Sequence, residues 1–194
     1  MGKRRLEKAI AQFGDRAHFS VVWRPFFLNP DLPAEGVPKL EYYHHRFGKA
    51  RVESMIPHMK QVGQEEGIEF EYGGVIGNTM DAHRLMEWAL QVHGEKVQND
   101  LSEQLMRAYF EKNENVANRS ILLRCVKDAG LDEKVGADVL DGDQYRKEVK
   151  EMANKHARVI NGVPFFNINN RIKFSGAQPV EQFLFVFDEL TEND

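Results

Sequence analysis

A chain of 194 residues with 42% hydrophobic and 29% charged residues has the makeup of an ordinary globular protein, large enough to bury about 70% of the surface its unfolded form exposes. Its formal net charge of -4, with the signs interspersed, argues against a dedicated nucleic-acid binder, and the single basic run Lys3-Arg4-Arg5 is too short to reverse that. No apolar stretch reaches the roughly 20 residues of a membrane span, the N-terminus lacks a signal-peptide core, and Leu6 stands where a myristoylation motif wants Ser or Thr. A reducing cytosol is the expected compartment, with Cys125 as the lone cysteine.

In chain order, Leu6, Ala9, Ile10 and Phe13 have the spacing of one helix face, and Gly14 ends that helix. Its start has no Ser, Thr, Asp or Asn cap, and three cations crowd the positive end of the dipole. His18 to Trp23 alternates, with Phe19, Val21 and Trp23 on one face, and reads as a strand. Pro25, Pro30, Pro33 and Pro38 then make a connector. From about Leu40 to His156 the pattern is helical. Asn78 and Asp81 open one of these helices as a capping-box-like start, and Cys125 lies on the stripe Ile121, Leu122, Cys125, Val126, where a small buried thiol behaves as a hydrophobe. Val163 to Ile168, the turn Asn169-Asn170 and Ile172 to Phe174 read as a hairpin. Pro179 begins a last helix carrying Phe183, Val186, Phe187 and Leu190.

Five strings stand in register: Gly2-Lys3-Arg4-Arg5-Leu6-Glu7-Lys8-Ala9; Val22-Trp23-Arg24-Pro25-Phe26 with Leu28-Asn29-Pro30; Asn78-Thr79 followed by Asp81-Ala82-His83-Arg84-Leu85; Gly162-Val163-Pro164-Phe165-Phe166; and Ser175-Gly176-Ala177-Gln178-Pro179. Together they resemble the FrnE-like group of the DsbA thiol oxidoreductases, which is similar to 2-hydroxychromene-2-carboxylate isomerases and kappa-class glutathione transferases. The resemblance implies an α/β, thioredoxin-like fold with a large inserted all-helical domain. Residues 1–38 and 158–194 would form the discontinuous thioredoxin-like domain and 39–157 the insertion. In that family a first strand and a Cys-x-x-Cys motif precede a segment like Gly2-Lys3-Arg4-Arg5. Both are missing here, so the chain is expected to be N-terminally truncated and to leave unpaired sheet edges, which another strand or a second copy would cover. No catalytic residue carries over.

The resemblance implies that the Val163-Pro164 bond is cis and that Val163 pairs with an extended substrate or glutathione; a trans proline opening a strand is the plain alternative. Ser175, Gly176, Ala177 and Gln178 could present backbone N–H groups to an anion such as a γ-glutamyl carboxylate, or simply form a turn and cap. His83 is either a substrate contact or a helical histidine paired with a neighbouring carboxylate. Asn78 is a cap first and a site residue second, and Trp23 belongs to the core. His44, His45, His58 and His93 have no zinc spacing, so no metal is expected. No cofactor is expected either, and glutathione enters only as a ligand. The partner would be a thiol-containing peptide or small molecule. Three functions stand side by side: a DsbA/FrnE-like thiol-disulfide oxidoreductase whose Cys-x-x-Cys is absent from this chain, a non-catalytic thioredoxin-like binder of glutathione or peptide, and a thiol-independent isomerase or glutathione transferase.

Overall fold

Helix α1 (Gly2–Phe13) forms where the apolar stripe predicts it. The computed structural model describes residues 1–192. After α1 come a short 3-10 turn (Gly14–Arg16), β1 (Val37–Pro38), α2 (Lys39–Phe47), α3 (Lys49–Glu65), β2 (Val75–Ile76), α4 (Met80–His93), α5 (Glu95–Phe110), α6 (Arg119–Asp128), α7 (Glu133–Asp141), α8 (Arg146–Ala157), β3 (Phe165–Ile168), β4 (Ile172–Ser175) and α9 (Val180–Thr191). Two units emerge: one from Met1–Ser20 with Arg158–Asp194, the other Val21–Ala157. No helix among the described residues is long and apolar enough to cross a membrane.

In the first unit, α1 and α9 pack on the β3–β4 hairpin. Asn169 and Asn170 take φ of 51° and 57°, the left-handed pair that a two-residue hairpin turn demands and that asparagine tolerates. The resulting register pairs Phe165 with Ser175 and Ile168 with Ile172, so Phe166, Ile168 and Phe174 meet the helices. Phe183, with no exposed surface, receives Phe166 and Phe174 edge-on at 4.9 and 5.3 Å. Phe13, Phe19 and Phe187 complete the cluster, Phe19 and Phe187 lying 4.7 Å apart. Edge-to-face ring pairs add about 0.5–1.5 kcal/mol each to the burial of their area.

The expected strand over His18–Trp23 is not formed. Ladder bonds need a neighbour, and among the described residues β3 pairs only with β4, while β1 pairs with β2 in a separate two-residue ladder. Other groups serve the backbone in this stretch. Gln98, fully buried in α5, accepts from the Trp23 N–H at 2.9 Å and donates to the Trp23 carbonyl at 2.9 Å, so one side-chain amide imitates a neighbouring strand. The Trp23 indole N–H donates to Asn99 at 3.0 Å, which makes Trp23 a half-buried, hydrogen-bonded residue and not a plain core one.

The proline-rich connector is held in the same manner. The Pro25 carbonyl meets His156 Nδ1 at 2.8 Å, the Pro30 carbonyl accepts from Asn78, Asn29 from the Tyr42 hydroxyl, and the Ala34 carbonyl from Asn115. Proline removes donors but not acceptors, and the acceptors find side chains on the helical unit. This explains why the structure divides between Ser20 and Val21, earlier than the boundary after residue 38 read from the sequence.

The helical unit has its core on α4, α5, α6 and α7, where Leu85, Leu101, Leu122 and Val126 are at most 1% exposed. Beside Leu85 lies Arg84, fully buried. Its guanidinium donates to the carbonyls of Val139, Gly142 and Gln144 and to Asp81. The planar fork thus satisfies the carbonyls at the C-terminal end of α7, which a lysine, with its single ammonium head, could not do at once.

Candidate functional site

In the first unit, three segments meet at Pro164. The Val163–Pro164 peptide bond is cis, as the resemblance implied. Gly2, at the start of α1, lies so close that a β-carbon there would stand 3.1 Å from the Pro164 ring and 3.2 Å from the ring of Phe166. Glycine at this position is what lets the first turn of α1 touch the proline. From the other side the Gly176 N–H donates to the Pro164 carbonyl at 2.8 Å, continuing the β3–β4 ladder by one step.

Val163 stands at the open end of this arrangement. The residue is 46% exposed, and among the described residues neither its N–H nor its C=O makes a backbone hydrogen bond. Such a backbone edge can take on an extended chain through main-chain bonds.

Ser175 to Gln178 form a turn held partly by its own hydrogen bonds and partly from outside. Gly176 has φ 85°, the Gln178 N–H donates to the Gly176 carbonyl at 2.9 Å, and the Gln178 side-chain amide donates to the Ser175 carbonyl at 2.7 Å. With the amides of Gly176 and Gln178 engaged inside the fold, the segment is first a turn, and an anion would find chiefly the Ala177 N–H. The Ala177 carbonyl accepts from Arg5 Nη1 at 2.6 Å. Beside it Lys3, 7% exposed, pairs with Glu7, which also accepts from Arg4 at 3.2 Å. Helix α1 has no side-chain cap and no acid in its first turn, so its cations face the positive dipole end and are balanced by Glu7 one turn later.

Asn78 and His83 belong to the other unit. The Asn78 side-chain oxygen accepts from the Met80 N–H at 2.8 Å while its amide donates to the Pro30 carbonyl; the N-cap itself is Thr79, which makes no side-chain cap bond, so Asn78 supports the helix start from one residue before the cap expected of it. Among the described residues His83 pairs with no carboxylate, contrary to one of its expected roles: its Nε2 lies 3.3 Å from the Phe26 carbonyl, and the Phe27 ring meets it edge-on at 5.2 Å. Burial lowers its pKa to about 4, the bond to Phe26 resisting only in part, so the imidazole is neutral near pH 7 and donates from Nε2. Cys125 is 2% exposed, and burial pushes its thiol up to about 11. With so small a thiolate fraction, Cys125 is core and no nucleophile.

The model of the DSBA-like thioredoxin domain matches residues 1–186. The chain belongs to this DsbA-like family. Among solved structures, a probable DsbA oxidoreductase from Streptomyces coelicolor is similar over 97% of this chain and 82% of its own, with 28% identity and a TM-score of 0.87. A candidate protein disulfide isomerase from Nitrosomonas europaea aligns with 99% of this chain and 91% of its own at 21% identity and a TM-score of 0.72; that likeness speaks for the fold. No curated protein matches significantly. A DsbA-like thioredoxin fold with a helical insertion thus agrees with the sequence reading. Gly2 and Arg5 stand in the first of the strings read from the sequence, but neither was given a site role there. Arg84 and Gln98 were missed because one polar residue on an apolar helix face reads as a solvent edge until its partners are placed.

Proposed function

We propose that these 194 residues form the substrate-holding body of a thiol-disulfide oxidoreductase of the FrnE-like group. An extended cysteine-containing peptide would lie along Val163, exchanging main-chain hydrogen bonds with it. The observation that carries this reading is the exposed Val163 edge, whose N–H and C=O make no backbone hydrogen bond among the described residues, beside a Pro164 braced by Gly2 and Gly176. The reacting thiol would be the substrate's, since Cys125 is buried and protonated. A reducing, cytosolic setting fits a lone buried thiol.

Isothermal calorimetry with a short cysteine-containing peptide, its serine counterpart and reduced glutathione tests the reading. The peptide is expected to bind, and Val163→Pro, which removes the N–H of the pairing edge, to weaken it about tenfold or more. Equal affinity for Val163→Pro and wild type would overturn it. Tighter binding of glutathione than of any peptide would favour the small-molecule reading, in which the Ala177 amide receives a γ-glutamyl carboxylate.

A further inference from the structure

The peptide edge at Val163 is part of a closed circuit. Gly2 touches Pro164; Arg5, one helical turn later, donates to the Ala177 carbonyl at 2.6 Å; and Gly176, next to Ala177, donates to the Pro164 carbonyl at 2.8 Å. Helical side chains lean toward the N-terminus of their helix, which is why Arg5 reaches back over the turn that begins at Gly2. The positive φ of Gly176, 85°, turns the chain at the end of β4, and this turn carries Ala177. The contact is charge-assisted, and the guanidinium holds a carbonyl in a segment that has no regular secondary structure of its own.

We propose that Arg5 is a positioning residue for the Val163 edge, acting through Ala177 and Gly176 on Pro164. This rests on the peptide-binding reading above. Arg5 need not touch the substrate. It fixes the 175–178 turn, the turn fixes the Pro164 carbonyl, and the peptide then meets an edge that is already ordered, so less conformational entropy is lost on binding. Without Arg5 the turn frays and the edge must be ordered by the substrate.

The test uses the full chain and two variants, Arg5→Gln and Arg5→Lys, with amide hydrogen exchange by NMR and peptide binding by calorimetry. In Arg5→Gln the Gly176 amide is expected to exchange about tenfold faster or more, and the cysteine peptide to bind about three- to tenfold more weakly, while amides in the middle of α9 keep their protection. Arg5→Lys keeps a charged donor for the Ala177 carbonyl and is expected to recover part of the protection and affinity lost in Arg5→Gln. An Arg5→Lys chain no better than Arg5→Gln in both measures would overturn the proposal. Unchanged Gly176 exchange in Arg5→Gln would overturn it too, as would faster exchange with unaltered affinity. A wild-type chain that binds no cysteine peptide removes the function proposed above, and the exchange rates then decide the circuit by themselves.

Discussion

The two units solve the same burial problem with different resources. The helical unit buries thirteen residues in one apolar cluster, spread over helices whose backbones satisfy themselves. The first unit buries Ala9, Phe13, Phe183 and Phe187 in its cluster, and its hairpin residues Phe166, Ile168 and Phe174 are only partly covered. A two-stranded hairpin is marginal on its own, so this unit depends on a few large rings. The contrast places the open backbone edge in the part of the molecule with the least apolar reserve, as expected where binding elements come from the low-stability end of a fold.

Truncating Phe183 is the strongest way to break that contrast. Phe183→Ala removes a fully buried ring that meets Phe166, Phe174 and Phe187 and is expected to cost about 3–5 kcal/mol. Leu101→Ala in the larger core is expected to cost about 2–5 kcal/mol. The distinguishing readout is hydrogen exchange. In Phe183→Ala, amides of β3, β4 and α9 lose protection while those of α4 and α5 keep it. Uniform loss in both units would show that they unfold as one and that the contrast has no energetic counterpart.

Acid probes the helical unit next. His83 has a pKa near 4 when folded, against an ordinary 6.5. Above 6.5 both folded and unfolded chains carry it neutral and its contribution is complete. As the pH falls from 6.5 toward 4, the unfolded chain takes up a proton that the folded chain refuses, so stability is lost across that window, by about 2 kcal/mol at pH 5. Urea midpoints at pH 7 and pH 5 check this. His83→Gln keeps a donor for the Phe26 carbonyl and is expected to flatten the dependence. An equal loss in His83→Gln would assign the acid sensitivity to other groups.

What the sequence made legible follows from periodicity and turn chemistry. The stripe Leu6, Ala9, Ile10, Phe13, the Asn169-Asn170 turn and the Phe183–Phe187 face are local patterns, and they appear where local rules put them. The strand read over His18–Trp23 failed because alternation reports a two-faced extended chain, while a strand also needs a neighbour with free N–H and C=O groups. The amide of Gln98, 75 residues away from Trp23, supplies that service, and nothing near Trp23 in sequence announces it. The Pro164 segment was legible from the strings around it. Its bracing was not, since the Gly2 and Arg5 contacts join residues about 160 to 170 positions apart.

The smallest expected effect separates the one thiol from the proposed binding edge. Cys125 packs among Leu122, Val126 and their neighbours in the helical unit, and burial raises its pKa to about 11, the Arg124 and Lys112 charges opposing only in part. Cys125→Ala removes one buried sulfur and is expected to cost about 1 kcal/mol. Cysteine-peptide affinity should be unchanged, because neither the Val163 edge nor its bracing involves this side chain. Native wild type should resist a thiol reagent such as 5,5′-dithiobis(2-nitrobenzoic acid) and react once unfolded in urea. Rapid labelling of the folded chain, or loss of peptide binding in Cys125→Ala, would make Cys125 a functional residue and shift attention from the first unit to the helical one.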